Sequence, residues 1–72
     1  MRSLPNKLYT FRKSVLYHML VILRNVPDEG ISRDRLYERI RNAMSAADFI
    51  TALTYLYAIE RIELKDNYIY YA

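Results

Sequence analysis

At 72 residues the chain makes one domain, too short to bury a large core and close to the limit of independent stability. With no cysteine and a single histidine it can build neither a disulfide, nor a thiolate metal site, nor a His-rich one. A formal charge of +3 is too mild to indicate nucleic acid by itself, whereas 53% hydrophobic residues and eight tyrosines suggest a subunit that completes its burial against a partner.

The opening residues, Met1 to Lys7, are polar and lack the apolar run and cleavage site of a signal peptide. The longest apolar run, Met19 to Leu23, is far too short to cross a bilayer. The expectation is a cytoplasmic protein with no membrane partner.

In chain order, Met1 to Tyr9 contain Pro5 and Asn6 and show no helical period. They read as an extended N-terminal arm, because proline pushes the residue before it toward extended geometry. Leu4, Leu8 and Tyr9 are its apolar side chains and could dock on the domain or on a partner. The domain proper then covers residues 10–72.

Its first helix runs from Thr10 to Asn25. Phe11, Val15, Met19, Ile22 and Val26 form one stripe, and Leu16, Leu20 and Leu23 form a second beside it. Tyr17 and Val21 add apolar surface further round. This face is wider than the roughly 100° needed to meet one core. The domain's own core accounts for one side; a partner or a second copy of the chain is the candidate for the rest. His18 has no metal-binding or catalytic companion and reads as a helix histidine that is partly exposed or hydrogen-bonded.

Val26-Pro27-Asp28-Glu29-Gly30 is a turn, with Pro27 ending the helix and Gly30 free to take positive φ. Ile31 is placed to make a short bridge to a later hairpin. The second helix starts at Ser32, with Ile31 and Leu36 at hydrophobic-staple positions and Leu36, Ile40 and Ala43 facing the core. Arg33, Arg35, Arg39 and Arg41 charge its outer side, interleaved with Asp34 and Glu38. The simpler reading is a solvated face with local ion pairs. The sharper one is that these arginines, Arg35 and Arg39 above all, grip phosphate or an acidic partner.

Ser45 is a good N-cap for a third helix, with Asp48 three residues on as a capping-box variant and Met44 and Phe49 as the staple. Phe49, Leu53 and Leu56 share a face, with Ala52 and Ile59 beside them. From Arg61 to Tyr71 the pattern switches to period two about Asp66-Asn67, a two-residue turn whose members tolerate positive φ. Leu64 then faces Ile69, and Ile62 faces Tyr71, all four toward the core. Glu63, Lys65, Tyr68 and Tyr70 point outward, and the two tyrosines make an edge that another chain could pair with. Three helices followed by a C-terminal β-hairpin is the order of a winged helix-turn-helix, an α+β fold that is mainly α.

No catalytic signature is present. His18 has no carboxylate and hydroxyl in a recognised spacing, one glycine cannot make a phosphate-cradling loop, and no pair of carboxylates suits a pocket wall. No enzyme, cofactor or metal is expected. For DNA, a recognition helix needs Arg, Lys, Asn or Gln at base edges, and Ser45 to Ile59 offer Asp48, Thr51, Thr54 and Tyr55 instead. DNA contact is expected to be indirect or non-specific, through the second-helix arginines. A small winged-helix DNA-binding regulator using them is the alternative function.

Pro5-Asn6-Lys7-Leu8-Tyr9 followed by Phe11-Arg12-Lys13-Ser14-Val15-Leu16 resembles the opening of the small middle components of bacterial ABC-three-component systems. Leu36-Tyr37-Glu38 resembles their second helix. Asp48 to Leu53, Leu56 to Ile59, and Arg61-Ile62-Glu63-Leu64 resemble their third helix and wing entry. Glu60 departs from the glycine expected between helix and wing. The resemblance implies a non-catalytic accessory subunit that binds an SMC/Rad50-like ATPase and an effector subunit in a complex acting against phages and plasmids. On that reading the contact surfaces are Leu4, Leu8 and Tyr9, then Tyr17 and Val21, then Tyr68 and Tyr70.

Overall fold

The computed structural model describes the backbone of residues 3–72 and the side chains of residues 10–72. Three helices, α1 (Ser3–Asn25), α2 (Arg33–Ile40) and α3 (Ala46–Ala58), stand against a three-stranded antiparallel sheet of β1 (Ile31–Ser32), β2 (Ile62–Lys65) and β3 (Tyr68–Tyr71). The fold is a winged helix, mainly α, as its sequence order implies.

The caps act where the sequence places them. The Arg35 backbone N–H donates to the Ser32 hydroxyl oxygen, and the Asp48 N–H to that of Ser45, each at 3.2 Å. Both caps satisfy a helix-end N–H that has no partner inside the helix. Both staples close as well: Ile31 with Leu36, and Met44 with Phe49, are buried in one core. That core also holds Ile22, Val26, Ile40, Ala52, Leu53, Leu56, Ile62 and Ile69. Among the described residues no polar or charged side chain is buried, so burial of apolar surface holds the fold together.

The wing follows the predicted register, with Ile62 opposite Tyr71 and Leu64 opposite Ile69. Asp66 and Asn67 have φ of 51° and 68°, the left-handed pair that a two-residue hairpin turn needs. Ile31 pairs with Ile69 and Ser32 with Tyr68, and the Asn67 carbonyl accepts the Arg33 N–H at 2.9 Å. The wing is thereby tied to the start of α2.

Gly30 takes φ 88°, and a Cβ there would run into the ring of Tyr70. At the end of α3, Glu60 takes φ 61° although it is not glycine. The Glu60 N–H donates to the Tyr57 carbonyl at 3.0 Å and the Arg61 N–H to that of Leu56 at 2.9 Å. This is a Schellman closure, so the departure from glycine leaves the turn intact and adds left-handed backbone strain.

Five expectations are corrected. The first helix begins at Ser3, so residues 3–9 are helical where an extended arm is expected, and residues 1 and 2 lie outside the described residues. Pro5 does not oppose this, because the first turn of a helix has no use for its missing N–H. Phe11 is 51% exposed and Val15 half-buried, because the body of the domain covers α1 mainly toward its C-terminal end, at Ile22 and Val26. Ala43 and Ile59 are exposed: α2 has ended at Ile40 and α3 at Ala58, so the helical phase that aims them inward is lost. Leu64 and Tyr71 lie at the predicted register yet are exposed: Leu64 stands near the turn end of the wing, and Tyr71, at its base, reaches past the core to the Leu23 carbonyl. Finally, β3 is the central strand, with β1 along Tyr68 and Ile69 on the side expected to be an open edge. The sheet's longer edge strand is β2.

Candidate partner-binding surfaces

Three surfaces stand out, and none of them is a closed pocket. The first is the outer side of α1. Leu16, Tyr17 and Leu20 are 59%, 57% and 55% exposed, although each belongs to the wide apolar face read from the sequence. Val21 and Leu23, further along the helix, pack partly against the core. The exposed Arg12, Lys13 and Arg24 lie around this surface. Tyr17 meets the ring of His18 edge-on at 5.9 Å. The C-terminal carbonyls of α1, which lack intrahelical donors, are served from elsewhere. The Tyr71 hydroxyl donates to the Leu23 carbonyl and Arg39 Nη1 to that of Asn25 at 3.4 Å, while Asn25 Nδ2 bonds back within the helix to the Val21 carbonyl at 2.8 Å.

The second surface is a groove of about 320 Å³ between α3 and the wing. Ile50, Leu53, Tyr57 and Leu64 give it an apolar floor, with Arg33 and Lys65 also on its wall. Ile50, Tyr57 and Leu64 are each about half exposed. In a DNA-reading winged helix this part of the third helix offers polar groups to base edges. Here α3 carries no Arg, Lys, Asn or Gln at all, and the Thr54 hydroxyl turns back to donate to the Ile50 carbonyl at 2.8 Å.

The third surface carries the arginines of α2. Arg33, Arg35, Arg39 and Arg41 are all exposed, but the structure does not gather them into one grip. Arg35 and Arg39 line a shallow polar recess with Ser32, Glu29 and Tyr68. Arg39 leans to the end of α1, where its charge suits the helix dipole. Arg41 meets Glu38 at a long 3.9 Å on the surface, and Arg33 faces the wing groove.

Of the other contact residues read from the sequence, Tyr68 is exposed and stacks on the half-buried Tyr70 at 6.0 Å. The side chains of Leu4, Leu8 and Tyr9 lie outside the described residues. Sequence reasoning missed Ile50, Tyr57 and Leu64, and treated Leu16 and Leu20 only as part of a broad stripe. The signal for the leucines was there: they recur one turn apart, off the line of Ile22 and Val26. For the groove there was none, because Leu64 has the inward phase of a core residue.

Among the described residues no cluster of acidic, histidine or cysteine side chains could hold a metal ion, and no helix is long and apolar enough to cross a membrane. Neither the curated proteins nor the solved structures contain a match to the chain. The family described as ABC-three component (ABC-3C) system Middle Component 7 does match, over residues 4–69, all but the two ends of the sequence. The match runs from the first turn of α1 into β3, so the chain belongs to the family of ABC-three component system Middle Component 7.

Proposed function

We propose that this chain is a non-catalytic accessory subunit of a cytoplasmic defence complex directed against phages and plasmids, binding an SMC/Rad50-like ATPase and an effector subunit. Membership of a middle-component family supports it, since a middle component has other components to meet. The observation that carries it is the exposed apolar outer side of α1, with Leu16, Tyr17 and Leu20 all more than half exposed on a very small domain. Apolar surface of this kind marks an interaction site. Leu4, Leu8 and Tyr9 on the same helix, and Tyr68 and Tyr70 on the wing, are the further contacts we assign. The test is affinity purification of the tagged chain from its native cells at moderate salt, with mass spectrometry of its companions. A large coiled-coil ATPase and a third protein in fixed ratio are expected; recovery of the chain without them overturns the reading.

A second reading, a small DNA-binding regulator, draws on the exposure of Arg33 and Arg35. It requires binding that weakens steeply with salt and is abolished by neutralising Arg35 and Arg39. Absence of binding at low salt removes it. The lack of Arg, Lys, Asn and Gln on α3 argues for proteins over base pairs.

A further inference from the structure

The outer side of α1 has a pattern that specifies what covers it. Lys13, Leu16, Leu20 and Leu23 follow one another at spacings of three, four and three, the seam of a heptad repeat. Leu16 and Leu20 are open to solvent, while Leu23 is partly buried against the core and anchors the seam to the domain. Helix geometry puts Arg12 on one flank of this seam and Tyr17 and Arg24 on the other. Over its whole length α1 contains Lys7, Arg12, Lys13 and Arg24 and no acidic residue.

Resting on the accessory-subunit reading, we propose that the outer face of α1 docks alongside an acidic amphipathic helix of a protein partner, with Leu16 and Leu20 as knobs and Arg12, Lys13 and Arg24 paired to glutamates or aspartates flanking the partner's apolar seam. The charge distribution selects this occupant. Two copies of α1 laid side by side would set basic flank beside basic flank, with no acidic residue on either helix to relieve it. Flanking charges choose between pairings that share the same apolar seam, which is how coiled coils select partner over self. An anionic membrane would also attract the basic residues. It suits this helix less, because the other side of α1, toward its C-terminal end, is already packed on the domain.

The proposal is tested with the purified full chain and two labelled peptides of designed heptad repeats, both with leucine at the seam, one flanked by glutamate and one by lysine. Fluorescence anisotropy should show the glutamate peptide binding at least about tenfold more tightly than the lysine peptide, with the gap closing as salt is raised. Leu16→Ser with Leu20→Ser should abolish binding while the thermal melt stays in place. The triple charge reversal Arg12→Glu, Lys13→Glu and Arg24→Glu should transfer the preference to the lysine peptide. Equal affinity for both peptides, or binding to neither, overturns the proposal. So does a dimer of the chain, seen by sedimentation, that the leucine pair dissolves, or binding to phosphatidylserine vesicles in place of the peptide. If the peptides fail while the tagged wild-type chain still brings down the ATPase, the docking face is wrong and the subunit reading stands. If the glutamate peptide binds but no ATPase is recovered, the docking face is supported and the subunit reading falls.

Discussion

The two ends of α1 are alike in composition and opposite in fate. Toward its C-terminus Ile22 is fully buried; three turns earlier on the same side Phe11 is half exposed, and Leu16 and Leu20, turned away from that side, are more than half exposed. Both stretches are rich in large apolar side chains at helical spacing. The difference lies in what stands opposite. α3, α2 and the wing close over the later stretch, and the Tyr71 hydroxyl reaches across to the Leu23 carbonyl. An apolar stripe therefore states how much surface a helix must hide and leaves open whether its own chain hides it. The uncovered length is where the proposed partner would dock.

The sharpest way to break that comparison is to truncate one residue from each stretch. Ile22→Ala should cost about 4 kcal/mol, by lost burial and the cavity left behind. For a domain this small that is most of its stability, and urea denaturation followed by circular dichroism should show it largely unfolded in water. If Ile22→Ala is tolerated, the covered stretch is not the core described above. Next in size is Gly30→Ala, which combines a left-handed φ with a collision against the Tyr70 ring and should cost about 3 kcal/mol in the same assay. The added Gly30→Ala/Tyr70→Ala variant should recover the part due to the ring and keep the part due to φ. Smaller and opposite in sign, Glu60→Gly relieves the left-handed residue in the Schellman turn and should stabilise by about 1 kcal/mol, read as a higher urea midpoint at unchanged slope. Smallest of all, Leu20→Ala on the exposed stretch should change stability by less than about 0.5 kcal/mol. A large loss there would mean that Leu20 packs within its own chain, and would remove the contrast between the two ends.

Of the four positive-φ positions among the described residues, Gly30 and Glu60 differ in what excludes a side chain. Gly30 sits where both its backbone and the Tyr70 ring exclude a Cβ, and Glu60 sits where the backbone alone is strained. Glycine was legible as a turn residue at Gly30 from its place after Pro27. The ring above it was not, because Tyr70 has the outward phase of its strand.

Much of the fold was open to reading from local signals. Ser32 and Ser45 cap helices because their side chains are short acceptors at the right offset. Asp66 and Asn67 turn the hairpin because both tolerate positive φ, and that alone sets the register of β2 against β3. The partner surface was half legible. The excess of apolar residues on α1 is visible in the sequence, but which of them remain exposed depends on which side of the helix the rest of the chain packs against and how far along it reaches. Leu64 and Tyr71 carry the inward phase, yet period two gives a direction and not a cover.

By itself, then, the sequence determined the order and type of the elements, the caps and turns, the absence of base-reading side chains on α3, and the all-basic charge of α1, because each is set by neighbours along the chain. Tertiary structure alone decided that β3 is central, that Arg39 leans on the end of α1, that Ile50, Tyr57 and Leu64 line an open groove, and that Leu16 and Leu20 face solvent. Those outcomes depend on packing between residues distant in sequence, where the limited size of the body determines which apolar side chains are covered and which are left in solvent.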